Sequence, residues 1–331
     1  MVRDEPIGSY FMGGLHARFH AKPNQVTALS RSSACDGGNL RYSKTMSEQA
    51  IDIAASGECD ELLESCGLEL GLAGQHSAKG FCKRRIWNVD VNLGTQEEIL
   101  SAVIEALRQN RRGLTVACAN PHSQVVASRD LVFKEALNSF DVILADGVGT
   151  SMAAKFLGVG AVNRFTGPDF FAAMNNCINS LEKKHTYFFI GSTEHVLQGI
   201  AVQMRRQFPN IELAGTYSPP FLSSEELADE VTLEMINKAN PSVVWVGMTA
   251  PKQELWMKLC SDRLSASVIA GIGAEFDYFA GAKKRPQPWV ARFGLQWLYR
   301  FLKEPRRTWR RHFVSMPVFV ANVLWHKFRG K

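Results

Sequence analysis

The chain has 331 residues, 46% of them hydrophobic and 21% charged, enough to bury a large α/β core and too apolar for a wholly disordered chain. Its formal charge of +6 conceals an asymmetry: residues 283–331 hold 13 Lys and Arg against Glu304 alone, a local +12 that leaves −6 for residues 1–282. The anion-seeking surface is therefore confined to the C-terminal end. Seven cysteines without a CxxC pair fit reduced thiols rather than a disulfide framework. No signal-peptide pattern and no apolar run of spanning length is seen, so a protein neither secreted nor transmembrane is expected.

Residues 1–85, rich in Ser, Gly and charge, read as a poorly ordered extension. A short helix near Glu58–Ser65 is the one local pattern there, and His16 and His20, four apart, lack companion ligands for a metal. From Ile86 short apolar runs alternate with amphipathic stretches, beginning with a helix over Thr95–Asn110. Strands are expected at Leu114–Cys118, Asp141–Ala145, Thr186–Ile190, Ile211–Tyr217, Ser242–Met248 and Ser267–Ile272. Helices are expected between them, near His122–Asn138, Gly149–Leu157, Pro168–Lys183, Thr193–Gln207, Ser223–Asn240 and Pro251–Leu264. Strands that are apolar throughout, each followed by a helix, predict a doubly wound parallel sheet over residues 86–275. Residues 276–331 form an appendage of interleaved aromatic and basic residues, divided into short helices by Pro305 and Pro317.

Ligands of such a sheet bind beyond the carboxyl ends of its strands. The sequence there is polar and glycine-rich: Asn120-Pro121, Asp146-Gly147-Val148-Gly149, Gly191-Ser192-Thr193, Pro251-Lys252-Gln253-Glu254 and Gly271-Ile272-Gly273. Glycines let backbone approach a ligand, and helix N-termini offer N–H groups to phosphate, so a nucleotide-diphosphate pocket is predicted. A dinucleotide fingerprint fails, because Met152 and Phe276 stand where its third small residue is needed, and no GK[ST] of a P-loop occurs. An Asp-x-Asp metal motif is also missing; Glu275-Phe276-Asp277 either holds Mg²⁺ or caps the following helix. Without a metal, arginines must neutralise a leaving diphosphate, and Arg164, Arg285, Arg300, Arg306 and Arg307 are candidates unless the C-terminal ones form only a solvated face.

The run Ala145-Asp146-Gly147-Val148-Gly149 with Arg164 and Gly167-x-Asp169, then Pro251-Lys252-Gln253-Glu254-x-Trp256 and Gly273-x-x-Phe276-Asp277, resembles the WecG/TagA/CpsF family of bacterial glycosyltransferases. Leu295-x-Trp297-Leu298-Tyr299-Arg300 and Glu304-Pro305-x-Arg307 extend the similarity, which covers about 86–312. The resemblance implies a Rossmann-like core, inversion at the transferred sugar, no cofactor or metal, and an appendage that reaches the cytoplasmic face of the bacterial inner membrane and completes the site. It implies a UDP-sugar donor and a polyprenyl-diphosphate-linked sugar acceptor. Asp146 then looks like the catalytic base, and Cys118, Asn120, Gly147, Arg164, Asp169, Gly191, Gln253, Asp277, Arg285, Arg300 and Arg307 like substrate contacts. Cys118 stands where the family has threonine; a thiol is the weaker hydrogen-bond partner, which turns the expectation from N-acetylmannosamine towards another sugar, as in exopolysaccharide assembly. The rival is a non-catalytic module binding membrane or nucleic acid through its basic, aromatic tail. Polar loops after five strands favour the enzyme, with no nucleic-acid partner; self-association is compatible with either.

Overall fold

The computed structural model describes residues 82–160, 162–220, 223–287, 290 and 296–329. The expected short helix near Glu58–Ser65, the His16–His20 pair and most of the extension lie outside these residues. An antiparallel hairpin, β1 (Lys83–Ile86) and β2 (Val89–Asn92), comes first. Helix α1 (Gln96–Arg108) starts at a reciprocal cap, in which Thr95 accepts from the Glu98 backbone N–H and the Glu98 carboxylate accepts from that of Thr95. Ile99, Val103, Ile104 and Leu107 form its buried stripe, as the periodicity predicts.

Six strands form one parallel sheet: β3 (Leu114–Ala119), β4 (Val142–Ala145), β5 (His185–Gly191), β6 (Ile211–Tyr217), β7 (Val243–Gly247) and β8 (Val268–Gly271), in the order β4-β3-β8-β7-β5-β6. Alternate residues feed opposite faces. Ala117, Ala119, Ile143, Ala145, Val244 and Val246 join one apolar cluster, while Val116, Val142, Leu144, Val243 and Trp245 join the other. Both faces are covered along β4, β7 and β8, which is why these strands read as unbroken apolar runs, whereas edge strand β6 buries Ile211 alone.

The connecting helices are α2 (Pro121–Ala127), α3 (Leu131–Ser139), α4 (Val148–Leu157), α5 (Gly167–Ser180), α6 (Glu194–Gln207), α7 (Ser224–Leu227), α8 (Glu230–Ala239), α9 (Lys252–Cys260) and α10 (Glu275–Phe279). Two stretches expected as single helices are each broken in two. Asp130 accepts from the Phe133 N–H at 3.0 Å and starts α3; Asp229 accepts from the Thr232 N–H at 2.7 Å and starts α8. An aspartate at an N-cap satisfies a donor that a continuous helix would not leave open, so the chain turns at each.

In the appendage, α11 (Gln296–Lys303) and α12 (Pro305–Trp309) lead through a π-helical turn, Arg310–Ser315, into α13 (Met316–Arg329). Pro305 begins a helix as expected, whereas Pro317 does not separate two. It occupies the second position of α13, directly after the π turn, where a missing N–H disrupts the helical ladder least. Phe319 and Val323 of α13 are buried in the same cluster as β1 and β2, with Phe319 edge-on to Trp87.

Candidate active site

The polar residues gather along the carboxyl ends of four adjacent strands, β4, β3, β8 and β7. At the end of β4, the Asp146 N–H donates to the Ala119 carbonyl at 2.9 Å, extending the parallel ladder by one residue. Gly147 follows with φ +86°, a left-handed turn that a side chain strains, and α4 begins at once with no side-chain cap. Thr150 fixes the turn by donating to the Ala119 carbonyl at 3.2 Å. A half-buried carboxylate thus sits one turn from helix N–H groups of the kind that bind phosphate oxygens.

At the end of β3, Cys118 faces the β8 strand, its Sγ 3.8 Å from the Gly271 carbonyl oxygen. Burial, with Asp146 and Glu254 nearby, raises the thiol pKa well above its ordinary value. Cys118 therefore remains a thiol, excluding it as a ready nucleophile. Asn120 caps α2: its side-chain oxygen accepts from the Ser123 N–H at 3.0 Å, and Ser123 Oγ accepts from the Asn120 N–H at 2.8 Å.

Across β8 and β7, buried Gln253 accepts from the Gly273 N–H at 2.9 Å, tying the turn after β8 to the start of α9. Glu254, part of the Pro251–Trp256 motif but given no role from sequence, is 4% exposed; one carboxyl oxygen accepts from Gln253 Nε2 at 3.3 Å and the other is buried without a hydrogen-bond partner. Burial pushes its pKa up to about 7, against a smaller opposing pull that includes the Arg311 charge. On α9 Glu254 projects about 160° from Trp256 and about 120° from Cys260, so helical periodicity does not mark it as buried; α9 is buried nearly all round.

The π-helical turn comes over this region. His122 Nδ1 and Ser315 Oγ lie 2.8 Å apart, and a Cβ on Gly149 would lie 3.6 Å from the Met316 methyl group. Residues of the appendage thus stand beside the loops that carry Asn120 and Asp146.

The remaining sequence candidates fall into separate groups. Arg164 lies 3.8 Å from the Asp169 carboxylate, which also accepts from Thr166 Oγ1 at 2.6 Å; Arg164 belongs to the loop whose Phe165 N–H reaches the Ala145 carbonyl at 3.1 Å, and Asp169 to the first turn of α5. Gly191 is four strands from Asp146, about 19 Å at a ~4.8 Å strand spacing. It has φ +115°, and a Cβ there would meet the Gly247 carbonyl oxygen at 2.5 Å, so close strand approach explains this glycine without a ligand. Asp277 pairs with Lys283 at 2.8 Å, and Lys283 reaches Glu304 at the same distance. Glu275 pairs with Arg285. Arg300 and Arg307 lie in α11 and α12, but their side chains are outside the described residues. Among the described residues no three His, Cys, Asp or Glu side chains cluster as a metal site would require.

A doubly wound sheet with a carboxylate and an uncapped helix N-terminus at its carboxyl edge is the layout of an enzyme that handles a phosphate-bearing substrate. The family model described as "Glycosyl transferase WecG/TagA/CpsF family" matches residues 84–331, and the chain belongs to that family of glycosyltransferases. It is 34% identical over 222 residues to a Bacillus spizizenii N-acetylglucosaminyldiphosphoundecaprenol N-acetyl-beta-D-mannosaminyltransferase, covering 67% of this chain and 82% of the relative. Proteins of the same description from Bacillus subtilis and Staphylococcus aureus are 30% and 28% identical, over 64% and 65% of this chain and 79% and 81% of theirs.

Proposed function

We propose that the enzyme transfers a sugar from a UDP-sugar to a polyprenyl-diphosphate-linked N-acetylglucosamine, in assembly of a bacterial surface polymer. The observation that carries this reading is Asp146 at the head of α4 in a member of a family whose relatives act on that class of lipid. The Asp146 carboxylate takes the proton of an acceptor hydroxyl, and the freed oxygen attacks the anomeric carbon of the donor. The bond from that carbon to the diphosphate breaks with inversion, and UDP departs with the electron pair. The N-terminus of α4 and the arginines, Arg164, Arg285, Arg300 and Arg307, stabilise the departing charge. Asn120, Gly147, Asp169, Gln253 and Asp277 shape the donor and acceptor pockets. Cys118 lines the same wall and bears on which sugar is accepted.

The appendage brings the protein to the cytoplasmic surface of the membrane, where the lipid acceptor resides. No helix among the described residues is long and apolar enough to cross a bilayer, so attachment is peripheral in this reading. Incubation of the purified enzyme with polyprenyl-diphosphate N-acetylglucosamine and a panel of radiolabelled UDP-sugars tests the reaction. A labelled lipid-linked disaccharide with one donor is expected; label in water-soluble products alone, or in none, contradicts it.

A further inference from the structure

Helix α4 has two apolar sides and buries one of them. Thr150, Ala153 and Ala154 face the core, whereas Val148, Met152 and Phe156, four residues apart and hence stacked on the other side, are exposed. Met152 is 66% exposed. Helix α13 repeats the pattern, with Phe319 and Val323 buried and Val320, Leu324 and Phe328 open to solvent. The two exposed stripes adjoin. Lys327 Nζ lies 5.8 Å from the centre of the Phe156 ring. At ~100° per residue Lys327 projects about 20° from Val320 and about 60° from Leu324, so the side of α13 that reaches α4 runs on into its own apolar stripe.

We propose that α4 and α13 form one composite face that docks on anionic lipid, bringing the bilayer surface to the helix that begins two residues after Asp146. This rests on the proposed lipid-linked acceptor and extends the contact from the appendage to the catalytic domain itself. Charge selects the occupant. No acidic residue lies between Asp146 and Asp169 or after Glu304, while Lys155 and Lys327 stand on or beside the two stripes. Two copies meeting through such a face would set like charges together, whereas an anionic headgroup layer complements it. Arg329 lies 4.7 Å over the Trp325 ring, pairing an amphipathic aromatic with a cation as surface-lying helices do. A lipid acceptor held at this plane needs to lift only its sugar end towards Asp146.

The test compares full-length Met152→Asp/Phe156→Ser, Trp325→Ser/Phe328→Ser and unaltered protein on vesicles of phosphatidylglycerol and phosphatidylethanolamine. Melting curves and sedimentation velocity are measured alongside. Each pair is expected to weaken vesicle partitioning by about tenfold or more, the scale of removing one or two buried apolar side chains, with melting unchanged. Both should slow transfer to a long-chain lipid acceptor more than to a short-chain soluble one. Loss of binding in the α13 pair with normal binding in the α4 pair overturns the composite face and leaves attachment to the appendage. A changed sedimentation coefficient with unchanged partitioning makes α4 a subunit interface and also overturns it. Unaltered protein that does not bind vesicles defeats the membrane reading as a whole.

Discussion

Replacing Glu254 with Gln keeps its shape and removes a charge that the fold disfavours. Burial holds this carboxyl at about 7 rather than its ordinary 4.5. A displacement of that size corresponds to about 3 kcal/mol of penalty on the ionised form, an upper scale because the folded chain relaxes around the charge. The native state binds the proton more tightly than the unfolded chain, so this group's stabilising contribution is complete below pH ~4.5 and is lost as the pH rises through ~7. In Glu254→Gln that segment of the stability curve should flatten. At pH ~8 the variant should be more stable than the parent by up to about 3 kcal/mol, a figure already net of the opposing Arg311 attraction. Urea unfolding at a series of pH values reads this directly. A parent curve without decline between pH ~5 and ~7, or a variant less stable at pH ~8, refutes the argument from burial. If the Glu254 charge also positions Arg311 over the site, transfer by the variant slows even while the fold gains stability.

Gly247→Ala places a Cβ 2.3 Å from the buried Phe276 ring, so it should cost about 2–3 kcal/mol and lower the melting temperature by several degrees; an unchanged melt argues against the packing described. Transfer should survive EDTA, since Glu275 and Asp277 are engaged by Arg285 and Lys283; activity lost to chelator and restored by Mg²⁺ would make those carboxylates ligands. Vesicle binding should weaken with added salt, because the Lys and Arg share of it, about 1 kcal/mol per residue, is screened; salt-independent binding would assign attachment to apolar insertion alone.

The doubly wound sheet was legible because strands such as β4, β7 and β8 are buried on both faces, which writes them as largely apolar runs with a helix after each. Sheet order was not: β7 and β8 insert between β3 and β5, and nothing in their own residues states their neighbours. The placement of Asp146, Gly147 and Gln253 at strand ends was legible, since the carboxyl edge of a parallel sheet is where glycines and polar residues need a reason; the roles proposed for them came from the family resemblance. The helix breaks at Asp130 and Asp229 were written in the capping aspartates but masked by continuous apolar periodicity on either side. Glu254 hid because charge alone suggests solvent, and only packing of α9 against the sheet reveals the burial. Gly191, read as a ligand contact, is already required by the approach of β5 to β7. The composite face of α4 and α13 joins segments more than 150 residues apart, a proximity only the folded chain displays.

The assignment of Asp146 as base is the central chemical claim, and Asp146→Asn tests it most directly. The amide keeps the size of the side chain and the backbone contacts with Ala119, so melting and UDP affinity should match the parent. Deprotonation of the acceptor hydroxyl is lost, and turnover of the UDP-sugar and lipid acceptor should fall by ~10²–10⁴-fold. Near-normal turnover in a folded, UDP-binding variant would remove Asp146 from the proton transfer and contradict the mechanism.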